Sequence, residues 1–249
     1  MTRVLAWDGC VNVRDLGGLP IDGGGETAYR VVVRSDSVRE LTDAGWQALG
    51  KYGVERIVDL RWAEELAEDP PGEAAVDVVH VPLLGPARSS PFGAELEARL
   101  DATDDPVDYY RWSYLRFLEE FQPNFAAAVA ALADADGPAV VHCAGGKDRT
   151  GLVCALALRL AGVPAEAVED DWVLSEAAWD HDREEWIASA PDEVERNRRR
   201  IWSVAPRPAM AETIAELERR YGGARGYLED AGMRPSALER LRARLRGEA

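Results

Sequence analysis

The 249-residue chain has little of several things. It carries three cysteines, too few for a disulfide framework, so a reducing compartment is the expectation. It has no apolar run near the roughly 18 residues that a membrane-spanning helix needs. Its opening residues, Met1 to Asp8, lack the apolar core of a secretory signal. Cytoplasmic location is therefore expected, with export by a signal-less route left open. Its three histidines fall at no spacing that resembles a metal site, and neither metal nor cofactor is expected. Basic residues are outnumbered, 29 against 45 acidic, for a net charge of −16. Such a surface repels nucleic acid and anionic membranes, so neither a nucleic-acid partner nor stable membrane insertion is expected. There is no internal repeat and no low-complexity segment.

What is present is concentrated at residues 142–151, His-Cys-Ala-Gly-Gly-Lys-Asp-Arg-Thr-Gly. The apolar run Ala139-Val140-Val141 leads in, and the apolar helical stretch Leu152 to Leu160 leads out. Strand, tight loop and helix follow in that order. Such a loop turns successive backbone N–H groups inward as an anion site, and the helix N-terminus adds partial positive charge. Gly145 and Gly146 allow backbone angles that a Cβ would forbid. Arg149 can grip two phosphate oxygens with its planar fork. The same field favours a thiolate at Cys143, placed to attack phosphorus and form a phosphocysteine that water then hydrolyses. A Walker A loop is excluded, because Asp148 follows Lys147 and Val141 stands at the first glycine position. The expected phosphate cradle is Ala144, Gly145, Gly146, Lys147, Asp148 and Arg149, with Cys143, Arg149 and Asp148 catalytic.

Lys147 is one of only two lysines, with Lys51, in an arginine-rich chain. A compact ammonium suits a second phosphate or a nearby anionic group. Asp148 could give its proton to the leaving oxygen as general acid, with Asp59 the next choice. Cys10 and Cys154 have leucine where the arginine should stand, Leu16 and Leu160, and are expected to be packing residues. His142 is expected to order the loop rather than transfer protons, and His80 and His181 to be incidental.

The loop resembles the His-Cys-x-x-Gly-Lys-Asp-Arg-Thr-Gly signature of a family of bacterial tyrosine phosphatases with mycobacterial and Listeria members. Collinear segments extend the resemblance over about residues 9–245. They are Asn12-Val13-Arg14-Asp15-Leu16-Gly17-Gly18, Val33-Arg34-Ser35-Asp36, Ile57-Val58-Asp59-Leu60-Arg61, Asp171-Trp172-Val173-Leu174-Ser175, and Gly222-Gly223 with Tyr227-Leu228 and Gly232. The resemblance implies a cysteine-phosphatase fold with a central sheet, Cys143 as nucleophile and Arg149 as clamp. It implies activity on phosphotyrosine, and associates Lys147 and Asp148 with phosphoinositides. Asn12 is a further candidate for substrate contact.

The pattern independently predicts an α/β class: a central, mostly parallel sheet flanked by helices, plus a helical C-terminal and lid region. Strands are expected near Val31–Val33, Ile57–Leu60, Val78–Val81 and Ala139–His142, with helices at Thr42–Tyr52, Asp108–Phe121 and Phe125–Ala133. Only helical patterns follow Gly151. One domain over 1–249 is expected. Segment 85–106 reads as a mobile insertion, and 175–208 as charged helices with scattered tryptophans. Either could cover the pocket as a lid. Asp59 and Arg61 close a strand whose C-terminal end should face the ligand, although Arg61 could instead pair with Glu64 or Glu65. The arginine-rich tail has the spacing of an amphipathic helix with Leu238, Leu241 and Leu245 inward. The function expected is phosphomonoester hydrolysis, on a phosphotyrosine protein, a phosphoinositide or a small phosphate monoester. A non-catalytic phosphate-binding regulator and a rhodanese-type sulfur transferase are the competing readings.

Overall fold

The computed structural model describes residues 2–68, 76–179 and 183–248. In chain order the elements are β1 (Arg14–Asp15), β2 (Val32–Ser35), α1 (Asp43–Tyr52), β3 (Arg56–Asp59), α2 (Ala63–Glu68), β4 (Asp77–His80), α3 (Pro91–Asp101), α4 (Pro106–Glu120) and α5 (Gln122–Ala133). Then come β5 (Ala139–His142), α6 (Asp148–Ala161), α7 (Ala165–Ala178), α8 (Arg183–Ala188), α9 (Glu193–Trp202), α10 (Arg207–Tyr221), α11 (Ala224–Asp230) and α12 (Pro235–Leu245). His181 lies outside the described residues.

The sheet order is β1-β2-β5-β3-β4, with β1 antiparallel to β2 and the other pairs parallel. β5 is central. Its Val140 pairs with Val33 on one side and Ile57 on the other. Both faces of β5 are covered, which is why it is an unbroken apolar run rather than an alternating one. Val33, Ile57 and Val140 pack on Trp7, Leu41 and Leu49 on one face. Val32, Val58, Ala139 and Val141 turn to the other, into a larger core that continues through α5 and α6 as far as Leu245.

The helices begin where local chemistry starts them. The Thr42 side chain caps α1 at Gly45 N–H, and Gly53, at φ +85°, ends it. Asp105 caps α4 and Pro106 opens it. α5 begins at Gln122, earlier than the expected Phe125, because Pro123 fits a helix's first turn. Segment 85–106, expected as a mobile insertion, contains a helix. Ser90 caps α3, whose Leu96 and Leu100 are buried. After β5 every described element is a helix. In α12, Leu238, Leu241 and Leu245 are inward, and the helix packs on α5 and α6. Among the described residues, no helix is long and apolar enough to cross a membrane.

Candidate active site

The loop between β5 and α6 leaves the C-terminal end of the central strand. Its carbonyls are held from outside. Cys143 O accepts from His142 Nδ1 (3.2 Å), and Ala144 O from Ser37 N (2.8 Å). Gly145 O accepts from Asn12 Nδ2 (3.0 Å) and Trp179 Nε1 (3.2 Å), and Gly146 O from Arg34 Nη2 (2.8 Å). In a trans peptide, C=O and the next N–H are antiparallel. Carbonyls pulled outward therefore turn the amides of Ala144 to Lys147 to the opposite, inner side. Gly146 sits at φ +66°, and a Cβ there would lie 2.5 Å from Ser35 O and 2.6 Å from Asp36 N. Gly145 has open space at its Cβ position and no positive φ. Of the two loop glycines, the backbone requires only Gly146.

Behind the loop lies a buried ionic cluster. Asp171 on α7 pairs with Arg14 (3.0 Å) and Arg34 (2.6 Å), and with Arg3. Burial pushes its carboxyl up, but Arg14, Arg34 and Arg3 outweigh that and hold it well below the usual carboxylate range. Ser175, one turn on, accepts from both Arg14 (3.0 Å) and Arg34 (3.1 Å). The cluster ties β1, β2 and α7 together under the loop. Gly151 lets α6 approach Trp172 of α7, where a Cβ would stand 2.7 Å from the indole.

Cys143 is buried at the loop entrance, and Arg149 opens the first turn of α6. Arg149 lies over the Trp62 ring, 4.7 Å from its centroid. Glu65 binds it with both oxygens, at 2.5 and 2.9 Å. Glu65 is the third residue of α2 and also reaches back to Trp62 N (2.8 Å), a capping arrangement that fixes the carboxylate before it meets the arginine. Burial pushes Glu65 up, and the Arg149 bond outweighs it, so the group is held ionised. Asp148 is half-buried and accepts from Tyr114 Oη at 2.5 Å through Oδ1. His142 is buried and pushed down to about 4, chiefly by desolvation, so it is neutral at pH 7. Cys10 and Cys154 are both raised to about 12, first by burial, which suits packing thiols.

Cys143, Asp148 and Arg149 open into one cavity of about 920 Å3, walled by α3, α4, α7, α8 and α9. Its far walls are apolar and aromatic. The model of the tyrosine phosphatase family matches residues 5–247. The chain belongs to the tyrosine phosphatase family. It is 29% identical over 223 residues to a tyrosine-protein phosphatase of Nostoc commune, covering 86% of this chain and 73% of that one. It is 28% identical over 249 residues to the triple specificity protein phosphatase PtpB of Mycobacterium tuberculosis, covering 86% of this chain and 90% of that one.

Within this tyrosine phosphatase several expected residues have other work. Lys147 does not aim its ammonium into the loop. Nζ donates to Tyr110 Oη (2.6 Å), Trp202 O (2.7 Å) and Val204 O (2.9 Å), and lies 4.6 Å from the Tyr110 ring centroid. Three partners use all three of its donors. Burial lowers its pKa. Asp59 is bonded by Arg61 Nη2 (2.8 Å) and by Arg61 N (3.0 Å), and His142 Nε2 lies 3.6 Å away. Burial pushes Asp59 up, but His142 and Arg61 together bring it below its ordinary value. With His142 neutral at pH 7, Arg61 carries that effect, and a carboxylate so bound is a poor acid. Arg61 lines a second cavity, of about 550 Å3, which shares Ala144 and Gly145 with the first. Asn12 is buried under the loop, with Oδ1 accepting from Arg14 (2.5 Å). It is a buttress for the Gly145 carbonyl. Sequence reasoning missed Glu65, Tyr110 and Tyr114. The Arg34 and Asp171 motifs were noticed without a role.

Proposed function

We propose that this phosphatase hydrolyses phosphate monoesters through a phosphocysteine, with the residues 1–249 working as one domain. The observation that carries the reading is the shared placement of Cys143, Asp148 and Arg149 on one cavity, around a loop whose carbonyls are tied outward. The inward amides and Arg149 receive the phosphoryl oxygens. Glu65 occupies two of the five guanidinium N–H groups and leaves three for phosphate. The Cys143 thiolate attacks phosphorus as the bond to the leaving oxygen breaks, and Asp148 gives that oxygen its proton. Water then attacks phosphorus, returns its proton to Asp148, and the P–S bond breaks to release phosphate and thiolate. Tyr114 bonds Oδ1 of Asp148, which leaves Oδ2 to hold the transferable proton. A reducing cytoplasm suits a nucleophile that works as thiolate.

The test is p-nitrophenyl phosphate turnover with a phosphotyrosine peptide in parallel. Cys143→Ser should lose turnover yet bind phosphate. Asp148→Asn should slow alkyl leaving groups far more than p-nitrophenolate, which needs no proton. Turnover retained by Cys143→Ser would overturn the mechanism. A uniform loss in Asp148→Asn across leaving groups would remove Asp148 as the acid.

A further inference from the structure

We infer that the substrate is a phosphate monoester with a long, uncharged apolar group, whose tail fills the cavity beyond the loop. The inference rests on the phosphomonoesterase reading above and names the substrate class within it. The cavity, at about 920 Å3, is near the top of the roughly 300–1,000 Å3 range of sites that bury drug-sized ligands. A phosphate and one phenyl ring leave most of it empty. Leu84, Leu96, Leu100 and Phe117 line the deep part, and Trp179 and Trp186 stand exposed at the mouth.

Most of the cavity's charged groups already have partners. Among the described residues its cations besides Arg149 are Arg88, Lys147 and Arg183. Arg88 pairs with Glu97 (3.4 Å) and Arg183 with Glu176 (3.1 Å), while Lys147 is held by Tyr110 and two carbonyls. A nucleotide or a multiply phosphorylated inositol would bring further anionic groups to walls whose cations are engaged. Three of its hydroxyls are likewise committed. Ser113 donates to Tyr109 O (2.8 Å), Tyr110 to Ile201 O (3.2 Å) and Tyr114 to Asp148. A sugar ring would lose water there and gain little. An apolar chain loses nothing on entry, and the phosphate end is the one place where charge is received. The net charge of −16 further disfavours a substrate drawn from an anionic bilayer.

The experiment measures kcat/KM for n-alkyl phosphates from ethyl to dodecyl, against p-nitrophenyl phosphate and a phosphotyrosine peptide, in wild type and Cys143→Ser. Each methylene that enters should raise kcat/KM about two- to fourfold, the upper value corresponding to about 0.8 kcal/mol per buried CH2. The rise should stop when the cavity is full. Leu96→Trp, which narrows the cavity, should stop it at a shorter chain. Alkylphosphonates, which cannot turn over, should give the same slope in Ki and need no variant. Dissolved monomers compared with the same esters in zwitterionic vesicles tell a soluble metabolite from a lipid. A flat chain-length profile, or a phosphotyrosine peptide that outruns every alkyl ester, overturns the inference and leaves the phosphatase standing. No Cys143-dependent release from any ester overturns both.

Discussion

Gly146→Ala tests whether the loop's shape, and not merely its sequence, makes the anion site. At φ +66° an alanine carries a left-handed penalty of about 1–2 kcal/mol. Its Cβ would also lie 2.5 Å from Ser35 O and 2.6 Å from both Ser35 C and Asp36 N. These are backbone atoms at the end of β2, held by its pairing with β5, and cannot swing aside as a flexible side chain would. The loop must retreat by roughly 1 Å, a displacement that can cost about a hundredfold in rate. The expected result is about 2–4 kcal/mol of lost stability in urea melts, with kcat/KM down at least a hundredfold. Gly145→Ala is the control, since its Cβ position is open and its φ ordinary, and it should melt within about 0.5 kcal/mol of wild type. Normal turnover and stability in Gly146→Ala, or an equal loss of stability in Gly145→Ala, would refute the geometric argument.

Glu65→Gln keeps the cap on Trp62 but weakens the two-pronged hold on Arg149. kcat should fall about ten- to a hundredfold while the melting temperature moves little, and an unchanged kcat would remove Glu65 as a positioning residue. Asp171→Asn leaves Arg14 and Arg34 buried without their countercharge and should cost about 3–5 kcal/mol in denaturant melts. Lys147→Met should destabilise by about 1–3 kcal/mol, from the orphaned Trp202 and Val204 carbonyls, yet leave the inhibition constant of phosphate within about threefold. A large rise in that constant would restore Lys147 to the phosphate site. His142 binds its proton near pH 4 in the fold and near 6.5 when unfolded, so its contribution is whole above about 6.5 and lost as pH falls toward 4. The full loss is about 3 kcal/mol, and His142→Asn should flatten that part of the pH dependence of urea midpoints.

The strand, loop and helix that carry the proposed site were legible because they are contiguous. Strand, cysteine, glycines, arginine and the start of the helix fall within residues 139–151, and local pattern suffices to order them. The β5 run and the strand at Ile57 stood out because central parallel strands are apolar on both faces. β1 did not, since two charged residues, Arg14 and Asp15, pair at an edge and show no alternation. Lys147 was misread for the same reason that it was noticed. Its rarity pointed to a special role, but its partners at Trp202 and Val204 come from 55 and 57 residues away, and no local pattern predicts them. Glu65 finds Arg149 across 84 positions. α3 was masked by the Ser, Pro and Gly before it, although Ser90-Pro91 is an ordinary helix start.

The acidity of the chain and the demands of a dianionic substrate are reconciled by where charge is compensated. Arg3, Arg14 and Arg34 share the single carboxylate of Asp171, and Lys147 donates to two carbonyls and a hydroxyl, so both groups keep positive charge buried beside the loop. Arg149 is paired with the Glu65 carboxylate. What attracts phosphate acts at short range: the buried cations, the inward amides, the start of α6 and the unused face of one guanidinium. A surface of net charge −16 repels a dianion at long range, so association should speed up as added salt screens that repulsion, while discrimination depends on fit within the first few ångströms. An anion that cannot seat all its oxygens in the loop receives no compensation from the surrounding surface, which repels it. The −16 net charge then works as a filter, favouring a compact phosphoryl group at the tip of an uncharged body over an extended polyanion.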